Sequence, residues 1–464
     1  MAVAVPNQER MARPPAGTFF GQPRGLAYIV FTEAWERFSF YGMQALLVLY
    51  MVSHLLQPGT VEHVAGFTGF HAAMEAVFGT LSTQALASQI FGLYIGLIYF
   101  APVLGGLLGD RVLGRSRAVL AGGVLMAAGH FLMAFEQAFL MALSLLVLGS
   151  GLLKGNLAAQ VGGLYAKDDP RRDSAFSIYC MSIVVGAFLA PLVCGTLGEV
   201  FGWHYGFGAA GVGMLVGIAI YISGRDHLPV DAIVGRDPRI SKLQPGDGRV
   251  IAALLSVLAI TALFWTAQTQ VWNSYPLWVR DQVDRQLLGF TIPVTWFQSL
   301  DSFAVLALSP LVLWLWRRQS QRGSEPGDLI KIAMGCAFFS FACVLLTIGE
   351  WLSGDAPTSL VWPTAFHFAC AAAYLYTAPT ALALVSRAAP ASVNAMMVGA
   401  YYLALFAGGI ISGWLGRFFE VLSAADFWLL HATIVGSGTV LLVLLRSRLL
   451  RALKLEPVAR ARGA

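Results

Sequence analysis

The sequence is poor in charge. Only 12% of its 464 residues are Asp, Glu, Lys or Arg, against 57% hydrophobic, whereas a soluble globular protein carries about 25% charged residues. That deficit excludes a soluble globule and leaves a polytopic membrane protein. Cysteine is scarce too: Cys180, Cys194, Cys336, Cys343 and Cys370 all fall in apolar segments. None has C-x-x-C or zinc-ligand spacing, which argues against a disulfide framework and against a metal centre. No nucleophile–base arrangement stands out, so neither an enzyme nor a cofactor is expected. The first 24 residues are polar, with prolines. They lack a charged stretch leading into a short apolar core, so no cleaved signal peptide is expected.

What is present is a series of apolar runs. A bilayer crossing needs about 20 apolar residues. Twelve such runs can be read, at 25–53, 87–109, 116–136, 138–165, 174–199, 203–223, 249–271, 292–316, 329–351, 359–387, 392–416 and 426–446. The N-terminal tail, the loops after the even-numbered runs and the C-terminal tail hold 25 of the 30 Lys and Arg. The opposite loops hold Arg280, Arg285 and Arg417, and Arg37 and Lys154 lie within runs. Such a bias places both termini in the cytoplasm and supports an even number of spans. It also accounts for the net charge of +5 without a nucleic-acid partner.

Two connections differ from the rest. Residues 54–86 form a long outer segment without Lys or Arg but with His54, His63 and His71, whose spacing is not a metal-ligand pattern. Residues 224–248 are polar, with prolines and glycines, and suit a linker between two halves. The halves repeat internally. APVLGGLLG begins at Ala101, APLVCGTLG begins at Ala190, and Ser309–Leu311 recur at a similar point of the eighth run. Secondary transporters are often built from such three-plus-three repeats, with the substrate site near the bilayer midplane. The expected organisation is a cytoplasmic tail (1–24), a six-helix half (25–223), a linker (224–248), a second six-helix half (249–446) and a cytoplasmic tail (447–464). The fold class is all-α membrane protein.

The charges inside the runs are the candidates for function. TEAWERFSFYGMQALLVLY, from Thr32, carries Glu33, Glu36 and Arg37. On a helix these three share a face. One charge at the centre of a membrane helix costs at least ~2.5–3.5 kcal/mol, so the group is expected to face a cavity with a partner. A purely structural salt bridge is the alternative. Lys154, in GSGLLKGN, lies at a matching depth: ~16 Å from the cytoplasmic end at the helical rise, against ~13–20 Å for Glu33 to Arg37. A salt bridge from Lys154 to these glutamates is expected.

GGLLGDRVLGRSR, Gly105 to Arg117, resembles the loop signature of the major facilitator superfamily. With Asp110 at a helix end, able to bond backbone amides and the arginines Arg111 and Arg115, the loop is expected to be a conformational lock. EAWERFSFYGM, GSGLLK, DSAFSIYCMSIVVGAFLAP, FWTAQTQ and NAMMVGAYYLALFAGG together resemble the proton-dependent oligopeptide transporters of that superfamily. The resemblance implies twelve helices in two six-helix halves. It also implies proton coupling through Glu33, Glu36, Arg37 and Lys154, and substrate binding by Arg37, Tyr41, Tyr99 and Lys154.

The chain departs from the family pattern at its polar positions. Gln44 stands where an Arg is usual and Thr269 where its Glu partner is usual. Losing both is self-consistent, since losing one would strand a buried charge. Val184 replaces an Asn, and Tyr374 replaces the Glu that holds a peptide's ammonium. Asp301 replaces an Asn and is followed by Ser302 rather than Pro. Asp301 and Tyr374 therefore complete the expected substrate-binding set, and Trp265, Trp272, Tyr376, Tyr401 and Tyr402 are candidates for an aromatic cavity wall. The expected activity is proton-coupled import of di- and tripeptides, or of peptide-like carboxylates, by a plasma-membrane monomer whose partners are protons, substrate and lipid. A proton-coupled exporter of amphipathic small molecules and a non-transporting ligand sensor are the rival readings.

Overall fold

A computed structural model describes residues 18–166, 169–231 and 243–454. The expected tails, in part, and the middle of the linker lie outside the described residues. The helices are α1 (Arg24–Tyr50), α2 (Phe67–Phe78), α3 (Thr83–Leu108), α4 (Arg115–Leu132), α5 (Phe139–Gly163), α6 (Arg171–Ala190), α7 (Trp203–Ser223), α8 (Asp247–Gln270), α9 (Ser274–Gln282), α10 (Trp296–Gln321), α11 (Asp328–Ser353), α12 (Val361–Ala388), α13 (Asn394–Leu415) and α14 (Ala424–Ala452). Two short antiparallel hairpins flank them: β1 (Thr18–Phe19) with β2 (Gln22–Pro23), and β3 (Gln286–Leu287) with β4 (Phe290–Thr291).

Eleven of the helical segments are long and apolar enough to cross a membrane. The remaining member of the bundle is α4. It has 18 residues, with Arg115 and Arg117 in its first turn and His130 near its end. These lower its hydropathy, yet it packs on α5 and α7 like its neighbours. α9 continues α8 after a short break at Val271–Asn273 and is counted with it. The expectation of twelve spans in two groups of six thus describes the packing. In the N-terminal group α1 lies on α6 and α7, and α5 lies on α3 and α4. In the C-terminal group α11 lies on α12 and α14, and α8 lies on α13 and α14. The groups meet along α3 with α13 and along α6 with α10.

The segment 54–86 contains more regular structure than its composition suggests. It contains α2, bounded by Gly66 at φ 76° and Gly79 at φ 78°. Both lie in the left-handed region that glycine enters without steric cost, and so start and stop the helix. His54 pairs with Glu136 at 3.0 Å and His71 with Glu75 at 3.6 Å. Among the described residues no cluster of His, Cys, Asp or Glu could hold a metal ion, and all five cysteines are free thiols.

Side-chain hydrogen bonds between the halves, among the described residues, lie at the face opposite the basic loops. The Glu199 carboxylate, beyond α6, accepts from Val294 N and Thr295 N at 2.8 Å each and from Thr295 Oγ1 at 2.7 Å. It thereby caps the start of α10. Trp296 Nε1 donates to Thr196 Oγ1 at 2.7 Å, and Ser299 Oγ donates to the Phe188 carbonyl at 2.8 Å. Arg280 reaches Ser53, Arg417 the Phe78 carbonyl, and Ser82 the Glu420 carboxylate. One face of the bundle is therefore tied shut.

Candidate functional site

α1 is enclosed on nearly every side, so its polar residues look into protein rather than lipid. Glu33 and Glu36 are fully buried. Their position depends on a close approach by α6. A Cβ at Gly186 would lie 2.4 Å from the Ala34 carbonyl oxygen and 2.7 Å from the Arg37 Cβ, so a larger residue there would push α6 off the charged turn.

Arg37 Nε lies 2.7 Å from Glu33 Oε1 and 2.9 Å from Glu36 Oε2. One guanidinium thus serves two carboxylates, and the trio carries one uncompensated negative charge if both are ionised. Lys154, from α5, is close enough for its charge to act on Glu36, Glu33 and Arg37. The expected Lys154–glutamate salt bridge is nonetheless not formed. No carboxylate oxygen lies within the 4.0 Å of an ion pair, and among the described residues Nζ has no hydrogen-bond partner. Instead Nζ sits 3.7 Å from the centre of the Phe40 ring and 5.8 Å from that of Tyr99. The reason is geometric: Arg37 already holds the near carboxylate oxygens, and Phe40, one turn beyond Glu36, offers its ring face to the ammonium. Glu33 Oε2 and both Glu36 oxygens also lack hydrogen-bond partners among the described residues, Glu36 being held by its ion pair with Arg37 alone. The site therefore holds a desolvated ammonium and two part-satisfied carboxylates, groups able to trade partners when a proton or an anion arrives.

The expected binding residues gather above this cluster from both halves. Tyr374 lies in the middle of α12 yet is 37% exposed, and α12 packs on α8, α10 and α13. Exposure amid these helices marks a cavity rather than a lipid contact. Tyr41 stacks obliquely on Trp272, centroids 5.2 Å apart. Trp265 stands edge-on to Tyr374 at 6.4 Å and to Tyr401 at 6.2 Å, and Tyr401 meets Tyr402 at 5.5 Å. Tyr376 is not part of this wall; it packs on Trp316 and Phe338, because two residues along a helix turn it to another face. Gln44 and Thr269 share no hydrogen bond; the Thr269 hydroxyl donates to the Trp265 carbonyl at 2.8 Å.

Asp301 has a partner that sequence reasoning missed. Its Oδ1 lies 3.5 Å from Nδ1 of His367, a fully buried histidine of α12. Only proximity reveals the pair, since nothing in the α12 sequence sets this histidine apart.

In the loop lock, Arg115 Nε donates to Asp110 Oδ1 at 2.9 Å, while Arg111 is exposed and forms no ion pair among the described residues. The expected bond from Asp110 to backbone amides is corrected by the structure: Asp231, after α7, takes the Ser116 amide at 3.0 Å. Asn156 Nδ2 donates to the Gly105 carbonyl at 3.0 Å, fastening α3 to α5 beside the loop.

Two six-helix halves, tied at one face around a charged and aromatic cavity, define a membrane transporter of the major facilitator fold. The profile of the PTR2 family, described as the POT family, matches residues 116–239 and 232–429. The chain belongs to the POT family. It is 30% identical to the peptide transporter YePEPT of Yersinia enterocolitica over 477 residues, covering 87% of this chain and 89% of that one. It is 27% identical to a di-/tripeptide transporter of Lactococcus lactis subsp. cremoris, covering 92% and 96%. A crystal structure of a peptide transporter POT in complex with sulfate superposes with a TM-score of 0.83 at 27% identity, covering 97% of this chain and 99% of that one. These relatives are transporters and not enzymes.

Proposed function

We propose that this chain is a proton-coupled symporter that imports di- and tripeptides, or peptide-like carboxylates, by alternating access. The observation that carries the reading is the buried Arg37, shared by Glu33 and Glu36, with the Lys154 ammonium held on Phe40 rather than on a carboxylate. A proton from the outside loads Glu33 or Glu36 and weakens that carboxylate's hold on Arg37. The two cations then receive the substrate carboxylate. Tyr41, Tyr99 and Tyr374 line the chamber, and Asp301 is the C-terminal half's carboxylate for a substrate ammonium. Opening to the inside and loss of the proton let the glutamates recapture Arg37, which expels the substrate.

In this reading the face closed by Glu199 is the outer one, and both termini are cytoplasmic in a plasma-membrane monomer. The basic loops support that orientation. Asp110, Arg111 and Arg115 form the inner lock, remade in each cycle.

The test is uptake of labelled dialanine and of N-acetylated dialanine into proteoliposomes under an inward proton gradient. Gradient-driven uptake of at least one of them is expected, and Lys154→Ala should abolish it. Full gradient-driven uptake by Lys154→Ala would sink the scheme. Failure of the folded wild-type protein to move either peptide would exclude the peptide reading.

A further inference from the structure

The scheme above gives Asp301 to the substrate ammonium and leaves its buried neighbour in the C-terminal half, His367, unused. Asp301 Oδ1 and His367 Nδ1 are 3.5 Å apart, with the histidine side chain fully buried and the aspartate 15% exposed. An imidazole always carries at least one N–H, yet neither His367 nitrogen has a hydrogen-bond partner among the described residues. A buried donor left unmade is costly, so the ring is poised to donate to the carboxylate a small rotation away.

Among the described residues no other charged side chain lies within ion-pair distance of the two. From α9, the Tyr275 ring stands edge-on to the imidazole at 5.0 Å, and its hydroxyl lacks a partner among the described residues. From α12 itself, Cys370 and Tyr374 follow His367 by about one and two helical turns. From α11, which packs on α12, Cys343 is a buried free thiol. From α14, Trp428 packs on Phe366, while His431 is bound to the Phe427 carbonyl and Gln270. Among the described residues Asp301 forms no ion pair other than that with His367.

We propose that Asp301 and His367 together form a second proton-binding site, in the C-terminal half, where the proton and a substrate ammonium are alternative counter-charges for the Asp301 carboxylate. When the cavity holds no ammonium, a proton from cavity water binds His367 Nδ1, which then donates to Asp301, and the pair is neutral overall. An arriving ammonium compensates the carboxylate instead, and the proton returns to water. No other bond forms or breaks. A substrate without an amine leaves the proton in place.

The proton-site half of this proposal stands without the peptide reading, while the ammonium half rests on it. The test is 15N NMR of full-length protein labelled at histidine, titrated from pH 8 to pH 5, with the His367 resonance identified by its absence in His367→Gln or His367→Asn. Expected is a wild-type His367 signal that moves from neutral to imidazolium as the pH is lowered across that range. In Asp301→Asn, a near-isosteric change, it should stay neutral throughout. Adding dialanine at the midpoint should return His367 toward neutral, and N-acetylated dialanine should not. A His367 that stays neutral down to pH 5 in the wild-type protein, or titrates equally in Asp301→Asn, overturns the proton site. Equal responses to the two peptides, both bound, overturn the ammonium exchange. If neither peptide binds, the peptide reading and the exchange fall together, and the titration alone decides the proton site.

Discussion

The two halves handle charge in opposite ways. The N-terminal half concentrates four ionisable side chains in one place, with Arg37 held between Glu33 and Glu36 and Lys154 beside them. The C-terminal half faces the same cavity with rings, chiefly Trp265, Tyr374, Tyr401 and Tyr402, and with a single carboxylate whose neighbour is a histidine. A permanent cation is fitted to hold an anion, whereas a carboxylate beside a titratable base can be switched off. Under the proposed function, this asymmetry makes a substrate carboxylate the fixed requirement of the site and leaves whatever sits at the substrate's other end to be treated conditionally.

The sharpest way to break the contrast is to remove the shared cation. Arg37→Met leaves two buried glutamates without their guanidinium. Breaking a buried ion pair from one side costs about 3–5 kcal/mol, so a markedly lower unfolding temperature and complete loss of uptake are expected. Tyr374→Phe, on the facing wall, should leave stability nearly unchanged. Thermal unfolding in detergent beside proteoliposome uptake checks both. Equal unfolding temperatures for Arg37→Met and wild type would mean that the glutamates are already neutral and that the cluster is not an ion pair.

The contrast can also be reduced by giving the C-terminal half a second carboxylate. Tyr374→Glu should raise the preference for a free amine over an acetylated one by roughly tenfold, equivalent to ~1.4 kcal/mol. Competition of the two dialanines for binding measures it. An unchanged ratio would mean that residue 374 does not reach the substrate's amino end.

Much of this arrangement is legible in the sequence alone. The run 203–223 coincides with α7, and most other spans differ from the helices by at most five residues, although 174–199 runs nine residues past α6 into π-helical turns and 426–446 stops six short of the end of α14, because an apolar run of bilayer length leaves the backbone no alternative to a helix. Glu33, Glu36 and Arg37 can be grouped because helical spacing is local. What is not legible depends on contacts between distant parts of the chain. The partner of Asp301, the place of Lys154 on Phe40 and the packing of Tyr376 on Trp316 and Phe338 rather than on the cavity wall each require knowing how helices rotate against one another. α2 is hidden in a segment whose composition reads as a loop, since its two bounding glycines signal equally a turn or a helix end.

The tied face gives a smaller test. Glu199 offers three acceptor contacts to the start of α10 across the halves. Glu199→Gln keeps the shape but loses the charge-assisted character of these bonds, so closure of this face should weaken by about 1–2 kcal/mol. Thiol labelling of Ser299→Cys, at the same junction, should speed up by roughly 5- to 30-fold at that energy. Labelling at the wild-type rate would assign closure to the helix packing of α3 on α13 rather than to the carboxylate.

The smallest effect belongs to an ion pair outside the cavity. Lys331 Nζ lies 2.5 Å from Glu325 Oε1 and 3.9 Å from the Trp316 ring centre. Its hydrogen bond holds the Glu325 carboxyl below its usual value. A carboxyl lowered in the folded state adds stability that is present above its unfolded value of 4.5 and is lost as pH falls through the folded value. Glu325 is about one-third exposed, so screening limits the contribution to roughly 0.5 kcal/mol. Glu325→Gln should therefore lower the unfolding temperature slightly at pH 7, and the two proteins should converge as the pH is lowered through the folded-state value in the acid range. A difference that persisted undiminished into that acid range would assign the effect to packing against Trp316 rather than to charge.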